Sequence, residues 1–234
     1  MIRCSRAAKK MFPSQIRPLR ELTNTKFEIF VVAFTILPFF VLAYFYSLLP
    51  ERVPQFLTLT GEVETWATKS LGSVFRVPLM AVVTQILLLL MRYGGAQAKV
   101  PEQYLRLNAG LWDWFRWTVA FKMSAESVDT IFLSLARFKF FARPTFVITA
   151  MASLIGVAGA LFYLYRLLVV RRELKTKFGN EASVDTRYVY GRVLYFNPSD
   201  PALFVNKYLF NFANKCAWIF IACVVTYPLL VFLP

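Results

Sequence analysis

Four runs of this chain, residues 27–49, 74–91, 144–168 and 216–233, are long and nearly free of charge. At about 1.5 Å per residue, some 20 residues of helix cross the ~30 Å hydrocarbon core of a bilayer. No other feature constrains the fold as tightly. In lipid the backbone must satisfy its own polar groups, and a helix does this within a single segment. Composition agrees, since 58% of the 234 residues are hydrophobic and only 17% are charged. A soluble domain sits nearer half apolar and a quarter charged. The expected fold class is an all-α polytopic membrane helical bundle. Pro38 should kink the first helix. Arg76, at the mouth of the second, can snorkel outward. Gly156 and Gly159 leave room for a neighbour to approach the third.

The difficult segment is 111–135, LWDWFRWTVAFKMSAESVDTIFLSL. At about 100° per residue, Lys122, Glu126 and Asp129 fall on one arc, and Trp114, Trp117, Phe121, Ile131 and Leu135 lie opposite. Two placements compete for this amphipathic helix. It can lie in the interface plane, or it can span with its charged stripe turned into the bundle. Counting Lys and Arg favours spanning. If it spans, 19 of these residues lie on the inner side and 5 on the outer side; if it does not, the split is about 15 to 11. The positive-inside rule therefore gives about five spans, with the N-terminal tail inside and the C-terminus outside.

The chain carries 27 Lys and Arg against 13 acids, a net charge of +14. Scattered over inner loops, this excess suits anionic lipid headgroups, and no nucleic-acid partner is expected. Residues 1–26 hold seven basic residues and one acid, Glu21. They read as a basic cytoplasmic tail, with a mitochondrial-type presequence as the alternative. The expected location is the inner membrane of a bacterium, or alternatively the mitochondrial inner membrane. Histidine is absent, which removes the commonest metal ligand and the usual general base near neutral pH. Of the three cysteines, Cys216 and Cys223 sit in an apolar run and imply no disulfide framework; Cys4 is the third. There is no glycine-rich phosphate loop and no nucleophile beside a base. No enzymatic activity, cofactor or metal site is expected.

Five units follow: the tail 1–26, a two-span unit 27–91 with a structured external loop 50–73, an amphipathic helix plus span at 92–170, a basic inner loop 171–215, and the last span 216–234. In the external loop Pro50 and Pro54 stop helix, QFLTLT alternates like a strand, Gly61 turns the chain, and Trp66 suits the headgroup level. Glu51, Glu62 and Glu64 have no fixed spacing and make a weak metal signal. In the inner loop, YFNPSDPALFVNKYLFNFANK (195–215) reads as a turn at Asn197 and Pro198 followed by a helix start, with Asp200 as N-cap and Pro201 in the first turn. An interfacial helix before the last span is expected there, with a ligand site built from asparagines as the alternative.

The loop LPERVP, then GEVETW and ATK, resembles the signature loop of a bacterial membrane domain of unknown function that also fronts SdpI-type immunity proteins. The resemblance covers residues 27–91 and rests on Pro50, Pro54, Gly61, Trp66 and Lys69. Gln55 stands where that family usually has histidine. Residues 195–215 resemble a tail module of some relatives through Asn197, Pro198, Asp200, Pro201, Phe204 and Val205. The resemblance implies a non-enzymatic protein that interacts with another membrane protein or a membrane-active peptide. Two further readings stand beside it. One is an accessory subunit of a larger membrane complex. The other is a small transporter or proton pathway through Lys122, Glu126 and Asp129.

Overall fold

The structure is a computed structural model that describes residues 24–57, 62–96, 102–135, 139–178, 189–190, 194–196, 204–205 and 209–231. Among these the chain is mostly helical. Its helices are α1 (Thr25–Phe45), α2 (Leu71–Ala96), α3 (Glu102–Ser134), α4 (Lys139–Phe178) and α5 (Lys215–Val231). Asn24 caps α1, its side-chain oxygen accepting from the N–H groups of Lys26 and Phe27 at 3.1 and 3.4 Å. The helix continues through Pro38 and tightens into a 3-10 turn at Tyr46–Leu48. Three segments are long and apolar enough to cross a membrane: Thr25–Leu48, Leu71–Arg92 and Thr145–Val170. A shorter apolar helix, Lys215–Leu230, ends the described chain. The protein is thus compatible with a polytopic membrane bundle.

The most polar long helix is the most enclosed. Helix α3 packs against α4, α2 and α1, while α5 packs on α2. Every residue of α3 from 111 to 134 is buried or half-buried. Helices α1, α4 and α5 instead turn apolar faces outward, including Phe40, Leu154 and Leu229. This inverts the arrangement of a soluble protein. In hydrocarbon a lone polar group costs several kcal/mol, so polar side chains gather where other protein groups surround them.

Two apolar clusters hold α3 in place. Near its C-terminal end, Ile131 packs with Leu42, Leu49, Val53 and Val74. Nearer its start, Leu111 packs with Ala160 and Leu167 of α4. Between the clusters α3 and α4 approach closely. A Cβ built on Gly156 would strike the Thr118 side chain, and one built on Gly159 would fall inside the Trp114 indole. The Trp114 N–H donates to the Gly156 carbonyl at 2.9 Å.

Two corrections concern strands. The strand expected at 55–60 starts earlier. β1 (Arg52–Leu57) pairs antiparallel with β2 (Val63–Thr68), with Pro54 inside β1 opposite Trp66. Toward the C-terminus, the expected interfacial helix is replaced by hairpins. β3 (Val189–Tyr190) pairs with β4 (Leu194–Tyr195), and β5 (Phe204–Val205) with β6 (Leu209–Phe210). Asn211 is fully buried and bridges to Tyr195, whose carbonyl accepts from the Phe212 N–H at 2.9 Å. The cap of the last helix is Asn214, whose side chain accepts from the Cys216 N–H at 3.0 Å. Asn197, Pro198, Asp200 and Pro201 lie outside the described residues, as does Gly61.

Candidate functional site: a charged layer inside the bundle

Glu28 lies in the first turn of α1, Gln85 and Arg92 in the second half of α2, and Asp113 and Arg116 in the first half of α3. The antiparallel course of α1 and α2 brings these stretches to one level. There the Arg116 guanidinium donates to both carboxylate oxygens of Glu28, at 2.7 and 2.6 Å. This two-pronged geometry is what a planar guanidinium offers a carboxylate. Arg116 Nε also faces Gln85 Oε1 at 3.3 Å, and Gln85 Nε2 donates to the Arg116 carbonyl at 2.8 Å. Asp113 stands between the two arginines. Its Oδ1 is 2.7 Å from Arg92 Nε and 3.5 Å from Arg116 Nη1. The Arg92 contact is an ion pair without the alignment of a hydrogen bond.

Burial gives this cluster its weight. The side chains of Arg92 and Arg116 are only 2% and 1% exposed, and those of Asp113 and Glu28 are 24% and 23% exposed. Two positive and two negative charges oppose one another, so the layer is neutral as a whole. Buried ion pairs of this kind add little net stability over an apolar core, but leaving one member alone is costly. The layer therefore fixes the mutual register of α1, α2 and α3. Each charge of the layer faces an opposite charge of the same layer.

The stripe expected on α3 is divided. Lys122 and Glu126 do pair, one turn apart, with side chains 40% and 31% exposed. Asp129 does not join them. It is 3% exposed, and its Oδ1 has no hydrogen-bond partner. Ser124, two residues along α3 from Lys122, donates to the Phe34 carbonyl midway along α1, so in a spanning α3 this pair lies at hydrocarbon depth, where a charge left alone is costly. Lys122→Met is accordingly expected to lower stability by about 2–3 kcal/mol in thermal unfolding in detergent. A loss below about 1 kcal/mol would mean that the pair faces water.

At the opposite end of α1 and α2, the β1–β2 hairpin is tied to the helices at several points. Lys69 Nζ donates to the Leu49 carbonyl at 2.9 Å and lies 4.9 Å from the centre of the Tyr46 ring, and the Lys69 N–H donates to Glu51 O at 2.7 Å. Ser70 and Ser73 cap α2 reciprocally, each hydroxyl accepting the other's backbone N–H at 2.9 Å. The Ser73 hydroxyl also reaches the Thr68 carbonyl at 2.9 Å. Arg76 is buried, donates to the Gln55 carbonyl, and stacks 4.4 Å from the Phe56 ring. It turns toward the hairpin, where the sequence suggested only that it would reach out of the hydrocarbon. Pro54 is buried, Pro50 is exposed, and Trp66 is 51% exposed. Glu51, Glu62 and Glu64 are exposed around it.

The charged layer escaped the sequence reading for a physical reason. Glu28 and Arg92 lie near the ends of apolar runs, where charges ordinarily meet headgroups. The usable signal was the Asp113/Arg116 pair, three residues apart beside an apolar arc. Comparison with known proteins adds nothing to this geometry, since no family model, curated protein or solved structure matches the chain.

Proposed function

We propose that this chain is a non-enzymatic, five-span membrane protein that works by contact. In this reading its outer hairpin meets another membrane protein or a membrane-active peptide at the bilayer surface. The observation that carries the reading is the anchoring of the hairpin. Lys69, Ser73 and Arg76 all bind backbone carbonyls across the junction between hairpin and helices. A connector between two spans needs no such bracing, whereas a recognition element gains affinity from being held in its binding shape. Trp66 and Phe56 offer aromatic surface, and Glu51, Glu62 and Glu64 offer charge suited to a cationic peptide. The resemblance of LPERVP and GEVETW to the SdpI-type loop supports the same role, in the inner membrane of a bacterium.

The five-span arrangement has its own support. Helix α3 is 33 residues long, about 50 Å of helix, and lies among α1, α2 and α4. Three flanking helices are apolar enough to cross a membrane, so the helix they enclose crosses with them. The internal pairing of Glu28, Asp113, Arg92 and Arg116 favours a scaffold over a conduit.

Photo-crosslinking residues at Trp66 and Glu64 test the contact role. In native membranes they are expected to give discrete protein or peptide adducts. The same probe at Phe40 or Leu154, on apolar outer faces, is expected to give none. Adducts at Phe40 and Leu154 with a silent hairpin would instead favour an accessory subunit embedded in a larger complex.

A further inference from the structure

A cleft of about 250 Å³ opens beside the C-terminal half of α4, lined by Gln103, Tyr165, Arg166, Val169, Val170 and Glu173. Its depth along α4 is informative. The apolar segment of α4 runs from Thr145 to Val170. At about 1.5 Å per residue, the ~30 Å of hydrocarbon beginning at Thr145 ends near Tyr165. Arg166 therefore enters the headgroup zone, and Glu173 stands about 10 Å farther out along the helix. Tyr165 is exposed at the boundary, where amphipathic rings sit well. Below the cleft, α4 continues outward-facing and apolar through Leu161 and Phe162.

We propose that this cleft holds the headgroup of an aminophospholipid, phosphatidylethanolamine, with its acyl chains lying along the outer face of α4. The lining contains one guanidinium and one carboxylate, in the order in which such a headgroup presents its own charges. Arg166 at the phosphate level meets the phosphate, for which a guanidinium is the natural fork. Gln103 and the Tyr165 hydroxyl supply further donors. Glu173 meets the terminal ammonium, which is a hydrogen-bond donor. It already takes part in a polar interaction within the chain, and a carboxylate has lone pairs for more than one partner. A headgroup that is only anionic would leave Glu173 facing like charge. A quaternary headgroup would give it no proton to accept. The site needs only that α4 crosses the membrane, and it is independent of what the hairpin meets.

The whole chain in nanodiscs that carry the same fraction of phosphatidylethanolamine, phosphatidylglycerol or phosphatidylcholine in a common carrier lipid provides the test. Lipids retained after extraction are counted by native mass spectrometry. The wild type should retain phosphatidylethanolamine about three- to fivefold over phosphatidylcholine, the range open to solvent-exposed ion pairs. Glu173→Gln should abolish that preference without lowering retention of phosphatidylglycerol. Arg166→Gln should reduce retention of all three lipids, because all carry the phosphate. Equal retention of the three by the wild type would overturn the proposal, as would an unchanged preference in Glu173→Gln. Stronger retention of phosphatidylglycerol than of phosphatidylethanolamine would show that charge alone is read and would equally refute it.

Discussion

Arg116→Met is expected to destabilise the bundle by about 3–5 kcal/mol, the usual cost of removing one partner from a buried ion pair. The loss reaches beyond one contact. Glu28 loses both of its side-chain hydrogen bonds to Arg116, Gln85 loses the donor facing its side-chain oxygen, and Asp113 keeps Arg92. The layer then carries two carboxylates against one guanidinium. Restoring balance should restore stability, and the manner of restoration is specific. Adding Glu28→Gln removes the carboxylate that Arg116 held most closely and leaves the Arg92–Asp113 pair intact, so much of the loss should return. Adding Asp113→Asn instead removes the partner of Arg92 and leaves Glu28 without its two-pronged guanidinium, so it should rescue less. Thermal unfolding of the three variants in detergent measures the difference. A nearly silent Arg116→Met would mean that water reaches the layer and that its charges do not lock the helices.

Gly159→Ala is expected to cost about 1–3 kcal/mol through overpacking at the α3–α4 contact. The sign matters here, because glycine to alanine inside a helix ordinarily gains about 1 kcal/mol. The atoms in the way are Cε2, Nε1 and Cζ2 of Trp114, all on the far side of the indole. The ring must move and lose its hydrogen bond to the Gly156 carbonyl, or the helices must part. Alanine at 114 removes all three atoms, so Gly159→Ala made in a Trp114→Ala background should be neutral or stabilising, as glycine to alanine within a helix ordinarily is. Thermal unfolding decides this too. A stabilising Gly159→Ala with Trp114 in place would show that α3 and α4 are not in contact at this point.

These two variants mark what could and could not be read from residues in order. Apolar length alone located α1, α2 and α4, which are long enough to cross a membrane, and the run expected as a last span at 216–233 is the shorter apolar helix α5. It also identified Gly156 and Gly159 as a point of close approach, although not the tryptophan that fills it. The charged layer was hidden by how α3 is used along its length. Asp113 lies about 180° around the helix from Lys122, so the first half of α3 turns its charges to α1 and α2, and the Lys122–Glu126 pair of the second half points elsewhere. One helical wheel drawn over both halves merges them, and only the fold separates Asp129 from Lys122. The C-terminal hairpins were masked by local chemistry. Asp200-Pro201 followed by an amphipathic stretch has the marks of a helix start, whereas Asn211 is buried against Tyr195 by pairing across more than a dozen residues. Local preference fails where a distant strand offers the better partner.

The central claim is that the polar helix α3 threads the membrane inside an apolar sheath. Single cysteines at Glu64 and Arg172, both exposed, test it in a background in which Cys4, Cys216 and Cys223 are replaced by serine. If α3 crosses, the hairpin and the end of α4 lie on opposite sides, and a membrane-impermeant maleimide should label the two cysteines from opposite faces of sealed vesicles. Labelling of both from the same face would place α3 along the surface and contradict the account.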